Sequence, residues 1–277
     1  MKRPVALSIA GSDPGGGAGI QQDLRVFSVL GVFGCAAVTA ITVQNTVGVR
    51  DVFSVASSIV ASQVELVMED ISPQVVKIGM LSTRENVTAV AGVLKSFKEV
   101  FVVADPVMLS KNGRYLLEEA AVSVYIDELL PLVDLLTPNI PEAVRISGSS
   151  KDSPDAYQEI CLSITRLMNT GRISPFGPAV LLKGGHGPDI NVCTDCLYVD
   201  GKYHFYESDR LDNPHTHGTG CALSSAVAAF IARGDSLIDA VEKARDVVHQ
   251  AIKAGFALGK GIGPVDPLVL LPNTYPG

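Results

Sequence analysis

The feature that most constrains this chain is the recurrence of short, unbroken apolar runs separated by segments with helical spacing. The runs are Val5 to Ala10, Ala36 to Val43, Val75 to Ile78, Val100 to Ala104, Val133 to Leu136 and Ala179 to Leu182. Continuous rather than alternating apolar character is what strands need when both faces of their sheet are covered. Between them, Ile20, Leu24, Phe27 and Leu30 form one helical stripe; Ala89, Val93 and Phe97, with Val90 and Leu94, form another. Strand alternating with helix predicts an α/β fold, a mostly parallel central sheet with helices on both faces. One interruption is expected. Asn191 to Val199, the turn Asp200-Gly201 and Lys202 to Glu207 read as a β-hairpin near 191–208. After it, Ala222 to Ala232 reads as a tightly packed helix. Ser236 or Asp235 caps a longer one, from about Leu237 to Leu258, stopped by Gly259.

No Ser-, Pro- or charge-rich linker divides the chain, so 1–277 is expected to form one domain. A formal net charge of −7 argues against a nucleic-acid or anionic-membrane partner. No stretch approaches the ~20 apolar residues of a spanning helix, and the N-terminal apolar run is too short for a signal peptide. Five scattered cysteines fit a reducing compartment, so a cytoplasmic location is expected.

Two glycine clusters follow this pattern. Gly11-Ser12-Asp13-Pro14-Gly15-Gly16-Gly17-Ala18-Gly19 joins the first strand to the Ile20 helix. His217-Gly218-Thr219-Gly220-Cys221 stands directly before the small-residue helix. Successive amides at a helix start, with small side chains, favour an anion such as phosphate. A Walker A loop and a Gly-x-Ser-x-Gly elbow are both absent. Polar residues follow successive strands: Asp105 after the fourth run, Asn139 and Glu142 after the fifth, Lys183 after the sixth. In open α/β sheets ligands sit beyond the carboxyl ends of the strands, so these groups are expected to converge there for phosphoryl transfer. Lys111-Asn112-Gly113 reads as a mobile segment in the loop Ser110 to Tyr115.

These motifs together resemble the hydroxymethylpyrimidine and phosphomethylpyrimidine kinases. The resemblance is carried by Ala10 to Asp13, Gly15 to Gln21 with Asp23, Thr39 to Thr46, Lys77 to Leu81, Asp105 to Met108, Thr137-Pro138-Asn139 with Glu142, Lys183 to His186, and His217 to Cys221. It implies a three-layer ribokinase-like fold, ATP and Mg²⁺, a homodimer, and phosphorylation of 4-amino-5-hydroxymethyl-2-methylpyrimidine and then of its monophosphate in thiamin biosynthesis. It assigns Gln44 to the pyrimidine, a role a carboxamide fills as it does with adenine. Gly11, Ala18, Asp23, Met80 and Val107 line the same pocket. Asp105 and Glu142 act on magnesium through water, and Asn139, Lys183, Gly185 and Thr219 surround the nucleotide. Gly218, Thr219 and Gly220 form the anion hole, and Cys221 stands where sugar kinases of this fold place an aspartate base. A helix N-terminus is expected to lower the Cys221 thiol pKa. The chain departs from the family at Ala222, where Thr is frequent, and in Gly261 to Pro267, which lacks the expected histidines and is expected to be peripheral.

Three other readings compete. A pyridoxal or pyridoxine kinase shares the fold, with Gln44 as the discriminating residue. Cys193-Thr194-Asp195-Cys196 could be a redox pair or half a zinc site, but on a strand its thiols point to opposite faces. A non-catalytic sensor is opposed by the set Asp105, Glu142, Lys183 and Cys221.

Overall fold

A computed structural model describes residues 3–110, 113–150, 156–168, 177–186 and 191–272; Lys111 and Asn112 lie outside it. The sheet has nine strands: β1 (Val5–Ser12), β2 (Phe33–Asn45), β3 (Gly48–Ser54), β4 (Val75–Ile78), β5 (Phe101–Ala104), β6 (Leu135–Leu136), β7 (Ala179–Leu182), β8 (Val192–Val199) and β9 (Lys202–Asp209). They lie in the order β3-β2-β1-β4-β5-β6-β7-β8-β9. From β2 to β7 neighbours are parallel; β3, β8 and β9 pair antiparallel. The hairpin turn has Asp200 at φ 51° and Gly201 at φ 73°, both left-handed, as a two-residue type I′ turn requires.

Strands β1 and β4 to β8 divide their buried side chains between two cores. Val5, Leu7 and Ile9 pack on one face with α2 (Ser57–Asp70), α3 (Arg84–Leu94), α4 (Glu119–Val124), α5 (Ile140–Ser147) and α6 (Tyr157–Leu167). Ala6, Val75, Val103 and Leu181 pack on the other with α1 (Gly19–Val29), α7 (Thr219–Ala232) and α8 (Leu237–Lys253). This is the three-layer arrangement expected. Among the described residues no helix is long and apolar enough to cross a membrane.

Three local expectations change. The α3 core face is Val87, Val90, Ala91 and Leu94, while Ala89, Val93 and Phe97 are only half-buried at its edge. Helix α8 ends at Lys253 rather than near Leu258, because Asn213 Nδ2 donates to the carbonyls of Ile252 (2.8 Å) and Gly255 (3.0 Å). A cap from a distant loop thus stops a helix that local sequence would extend. The segment after Gly259 is not peripheral. Ile262 N donates to Thr46 O, His217 N to Gly263 O, and Val265 N to His217 O, so it braces both β2 and the second glycine loop.

Candidate active site

Strands β1, β2, β4, β5, β6 and β7 all end at one rim. There the side chains converge on a cavity of about 1000 Å³. Helix α7 aims its first turn at this cavity. The middle of α7, Ala222 to Phe230, is buried, and its Ala and Ser residues let it sit between sheet and α8. Its cap, Gly218, has φ 83°, and a Cβ there would lie 1.8 Å from Gly17 O. The two glycine clusters are therefore pressed against each other. Gly218, Thr219, Gly220 and Cys221 all line the cavity, with Thr219 Oγ1 donating to Thr216 O at 2.8 Å.

Opposite these amides stand the charged groups. Lys183 Nζ lies 2.6 Å from Asp105 Oδ1, and a Cβ on Gly220 would touch both Asp105 Oδ2 and Lys183 Nζ at 3.4 Å. Burial works against the Lys183 cation, but Asp105 and Glu142 outweigh it and raise its pKa. Asn139 and Glu142 form a reciprocal capping box at the start of α5, each bond 2.9 Å. That box fixes both residues at the cavity wall, where Gly185 also lies. Burial first, and then the Asp105 charge, push the Glu142 carboxyl up to about 7, against the pull of Lys183. Two nearly buried carboxyl groups, Asp105 and Glu142, thus flank Lys183 at the cavity wall. Mg²⁺ keeps several waters and takes one or two carboxylates plus substrate phosphates, so Asp105 and Glu142 fit it. Among the described residues no group of three or more His, Cys, Asp or Glu could hold a metal by itself.

The other end of the cavity is built on β2. Thr42 and Gln44 face inward, while Ile41 and Val43 face out. Gln44 approaches Thr42 Oγ1 and His217 Nε2, both at 3.3 Å. His217 Nε2 also lies 2.9 Å from Asp13 Oδ2. The Asp13 carboxylate accepts from the amides of Gly15 (2.8 Å), Gly17 (3.1 Å) and Ala18 (2.9 Å). Burial would raise the Asp13 pKa, but His217 and these amides overcome it and lower it. Gly11, Ala18, Met80 and Val107 line the same end.

Asp23 does not. It is fully buried behind the wall, with Lys77 Nζ 2.9 Å from each carboxylate oxygen, Ser8 Oγ at 2.6 Å and Ser225 Oγ at 2.7 Å. Every lone pair is occupied by the protein, so nothing is left for a ligand.

Cys221 also departs from expectation. Burial raises its thiol to about 11, although Lys77 and the Gly19 amide pull the other way. Desolvation of the thiolate thus outweighs the helix N-terminus. Because burial disfavours the charged form, the reactive species appears only at high pH. Alkylation of Cys221 by iodoacetamide is expected to be slow at pH 7 and to climb until beyond about pH 10; a rate that levels off near pH 8 would show an ordinary thiol. Cys193 and Cys196 point to opposite sides of β8. Cys193 faces the cavity, and Cys196 is buried beside Cys161.

Several contributors lay outside the residue-by-residue expectations. Lys77, Asp13 and His217 stood in motifs without a role. Asp195 accepts from Gly184 N and from Arg245 Nε, each at 2.8 Å, and so steadies the loop carrying Lys183. Its position in a Cys-x-x-Cys drew attention to the thiols instead.

A family model described as phosphomethylpyrimidine kinase matches residues 13–266. A hydroxymethylpyrimidine/phosphomethylpyrimidine kinase of Rhizobium meliloti is 44% identical over 263 residues, covering 94% of this chain and 96% of that protein. A thiamine biosynthesis bifunctional protein of Geobacter sulfurreducens is 40% identical over 270 residues; 96% of this chain matches, spanning about half (53%) of that longer protein. Among solved structures, a Bacillus subtilis pyridoxal kinase in complex with ADP superposes with a TM-score of 0.87 at 31% identity, covering 97% of this chain and 99% of that one. The amide loop at α7, the facing Asp105–Lys183 pair and the match across nearly the whole chain lead to one conclusion: this protein belongs to the phosphomethylpyrimidine kinase family.

Proposed function

We propose that this chain, acting as one kinase domain, transfers the γ-phosphoryl group of ATP to the hydroxymethyl oxygen of 4-amino-5-hydroxymethyl-2-methylpyrimidine, and then phosphorylates the monophosphate to the diphosphate, in cytoplasmic thiamin biosynthesis. One observation carries this reading. His217, the residue directly before the amide loop, lies 3.3 Å from Gln44, so a ring partner and a phosphoryl cradle share one wall.

In this reading Gln44 pairs with the aminopyrimidine edge. Lys183 places its cation on the nucleotide phosphates, with Asn139, Gly185 and Thr219 beside it. The amides of Gly218 to Cys221 receive the transferring group, whose charge is what such a site must stabilise. Asp105 and Glu142 hold Mg²⁺, which neutralises phosphate charge when bound. A proton competes with the cation for Glu142, whose carboxyl is pushed up to about 7, so metal uptake strengthens as pH rises through about 7. Cys221 borders the acceptor position. As a thiol it shapes the hole, and only its thiolate could take the first acceptor's proton; the second acceptor is already ionised. The outward faces of β2 and β3 leave Ile41 and Val43 half exposed and Phe53 70% exposed. An apolar patch of this kind supports homodimerisation.

The second reading is a pyridoxal kinase, favoured by the superposition on the Bacillus subtilis enzyme. The test is ATP consumption with the hydroxymethylpyrimidine, its monophosphate and pyridoxal in parallel. Turnover of both pyrimidines at least about a hundredfold above pyridoxal in kcat/KM is expected, because a site built for one polar edge rejects another. Preferential turnover of pyridoxal would replace the first reading by the second.

A further inference from the structure

We propose that Thr42 and His217 hold the Gln44 carboxamide in one of its two orientations, oxygen toward His217, and thereby make the pocket select a 4-aminopyrimidine over a 4-pyrimidinone. The proposal rests on the reading of Gln44 as the ring's partner and goes beyond it, to the residues that decide what Gln44 can pair with.

Thr42 has one hydroxyl proton, and its contact with Ser12 O is 2.8 Å, against 3.3 Å to the Gln44 arm. The shorter contact takes the proton, so Thr42 Oγ1 can only accept from Gln44. The arm facing Thr42 must then be the N–H₂ group. On the other side, His217 Nε2 lies 2.9 Å from Asp13 Oδ2, a carboxylate oxygen that already accepts from Gly17 and Ala18. Three peptide amides point at this carboxylate and hold it ionised, acceptor only. His217 Nε2 therefore carries a proton, whether or not Nδ1 does as well. The Gln44 arm 3.3 Å from that N–H must be an acceptor. In the structure nitrogen lies on the His217 side and oxygen on the Thr42 side, which sets N–H against N–H and leaves one hydroxyl proton serving two oxygens. Turning the amide over gives Thr42 Oγ1 an N–H to accept and replaces the N–H against N–H contact by a carboxamide oxygen that shares the His217 proton, directed chiefly at Asp13; carboxamide atoms are assigned by such networks.

This orientation has two consequences for the ring. Along the pairing edge of the substrate, N3 accepts, the 4-amino group donates, and the C5 hydroxymethyl group lies just beyond the amino group. With oxygen toward His217, the amino group lies on the His217 side. The hydroxymethyl group then points toward Gly218 and the phosphoryl cradle. A 4-pyrimidinone has almost the same shape but the reverse polarity: N3–H donates and O4 accepts. It can pair only if the amide turns over, and Thr42 and His217 both oppose that. A polar site with fixed donors and acceptors discriminates strongly against a ring that leaves them unpaired.

The test compares kcat/KM for 4-amino-5-hydroxymethyl-2-methylpyrimidine and its 4-oxo counterpart in the full-length wild type, Thr42→Val, Thr42→Ser and Gln44→Ala. The wild type is expected to prefer the amino ring by about a hundredfold or more. Thr42→Val removes the acceptor that holds the N–H₂ arm. It should narrow the preference about tenfold, chiefly by a gain on the oxo ring, as loss of one orienting hydrogen bond implies. Thr42→Ser keeps the hydroxyl and should keep the preference. A general loss of structure would lower both rates in proportion and leave the ratio alone. That result in Thr42→Val, or an equal narrowing in Thr42→Ser, overturns the proposal. Gln44→Ala tests the reading beneath it: the preference should vanish. If it survives, Gln44 does not read the ring, and both the proposal and the ring assignment fall.

Discussion

Gly218→Ala is expected to lower kcat by at least about a hundredfold while leaving most of the fold intact, since even one lost donor to a developing oxyanion costs that much. The residue caps α7 with φ 83°, a region that side chains other than glycine enter only at a cost of about 1–3 kcal/mol. The steric problem is larger. A Cβ would sit 1.8 Å from Gly17 O, so the two glycine loops must separate. That moves the amides of Thr219, Gly220 and Cys221 away from the facing Asp105–Lys183 pair, and it drags His217 from Asp13 and Gln44. Gly234→Ala is the matching control. Its φ of 95° carries a similar strain, but nothing lies within 4 Å of the added carbon, and it stands beyond the far end of the same helix. It should lose stability and keep kcat. Steady-state rates and thermal melts on both variants separate backbone strain from loop displacement. A Gly218→Ala enzyme with wild-type kcat would mean the amide loop takes no part in transfer.

The same pair of loops shows where sequence reading succeeds and where it stops. Both glycine clusters were legible, because a strand, a glycine loop and a helix start are contiguous in the chain. Their contact was not, because Gly17 and Gly218 are distant in sequence and nothing local marks the pairing. The buried strands announced themselves as apolar runs. β3 did not, because the exposed charges of Arg50 and Asp51 break its apolar run. Asp105, Asn139, Glu142 and Lys183 were readable as polar residues after strands, and they do meet at one cavity. The sign of the Cys221 shift was not readable. A helix start suggests a lower pKa, and only the packed structure shows that burial among the surrounding groups outweighs it. Asp23 was misplaced for a related reason: its motif adjoins the pocket, but its side chain turns inward to a lysine that is 54 residues away.

That inward turn makes Asp23→Ala the variant with the largest expected effect on stability. Lys77 and Asp23 are both fully buried, with each carboxylate oxygen 2.9 Å from the ammonium. Removing the carboxylate strands Lys77 as an uncompensated buried charge and frees the hydroxyls of Ser8 and Ser225. Breaking a buried pair from one side costs about 3–5 kcal/mol. The ammonium can escape part of that penalty by losing its proton, because its pKa is held high chiefly by Asp23 against the pull of burial. The destabilisation should therefore be partly relieved as pH rises, since a deprotonated Lys77 no longer needs a partner. A pocket-lining Asp23 predicts something different: a raised KM for the pyrimidine with an unchanged melting temperature. Denaturation of Asp23→Ala at pH 7 and at pH 9, beside its KM, decides between the two. The double variant Asp23→Leu with Lys77→Met sharpens the result, because it removes both charges and should recover much of the lost stability. Recovery would identify the pair as a structural strut beneath the first turns of α7, where Ser225 lies one turn after Cys221. If the double variant is as unstable as Asp23→Ala, the buried charge on Lys77 is not the source of the loss.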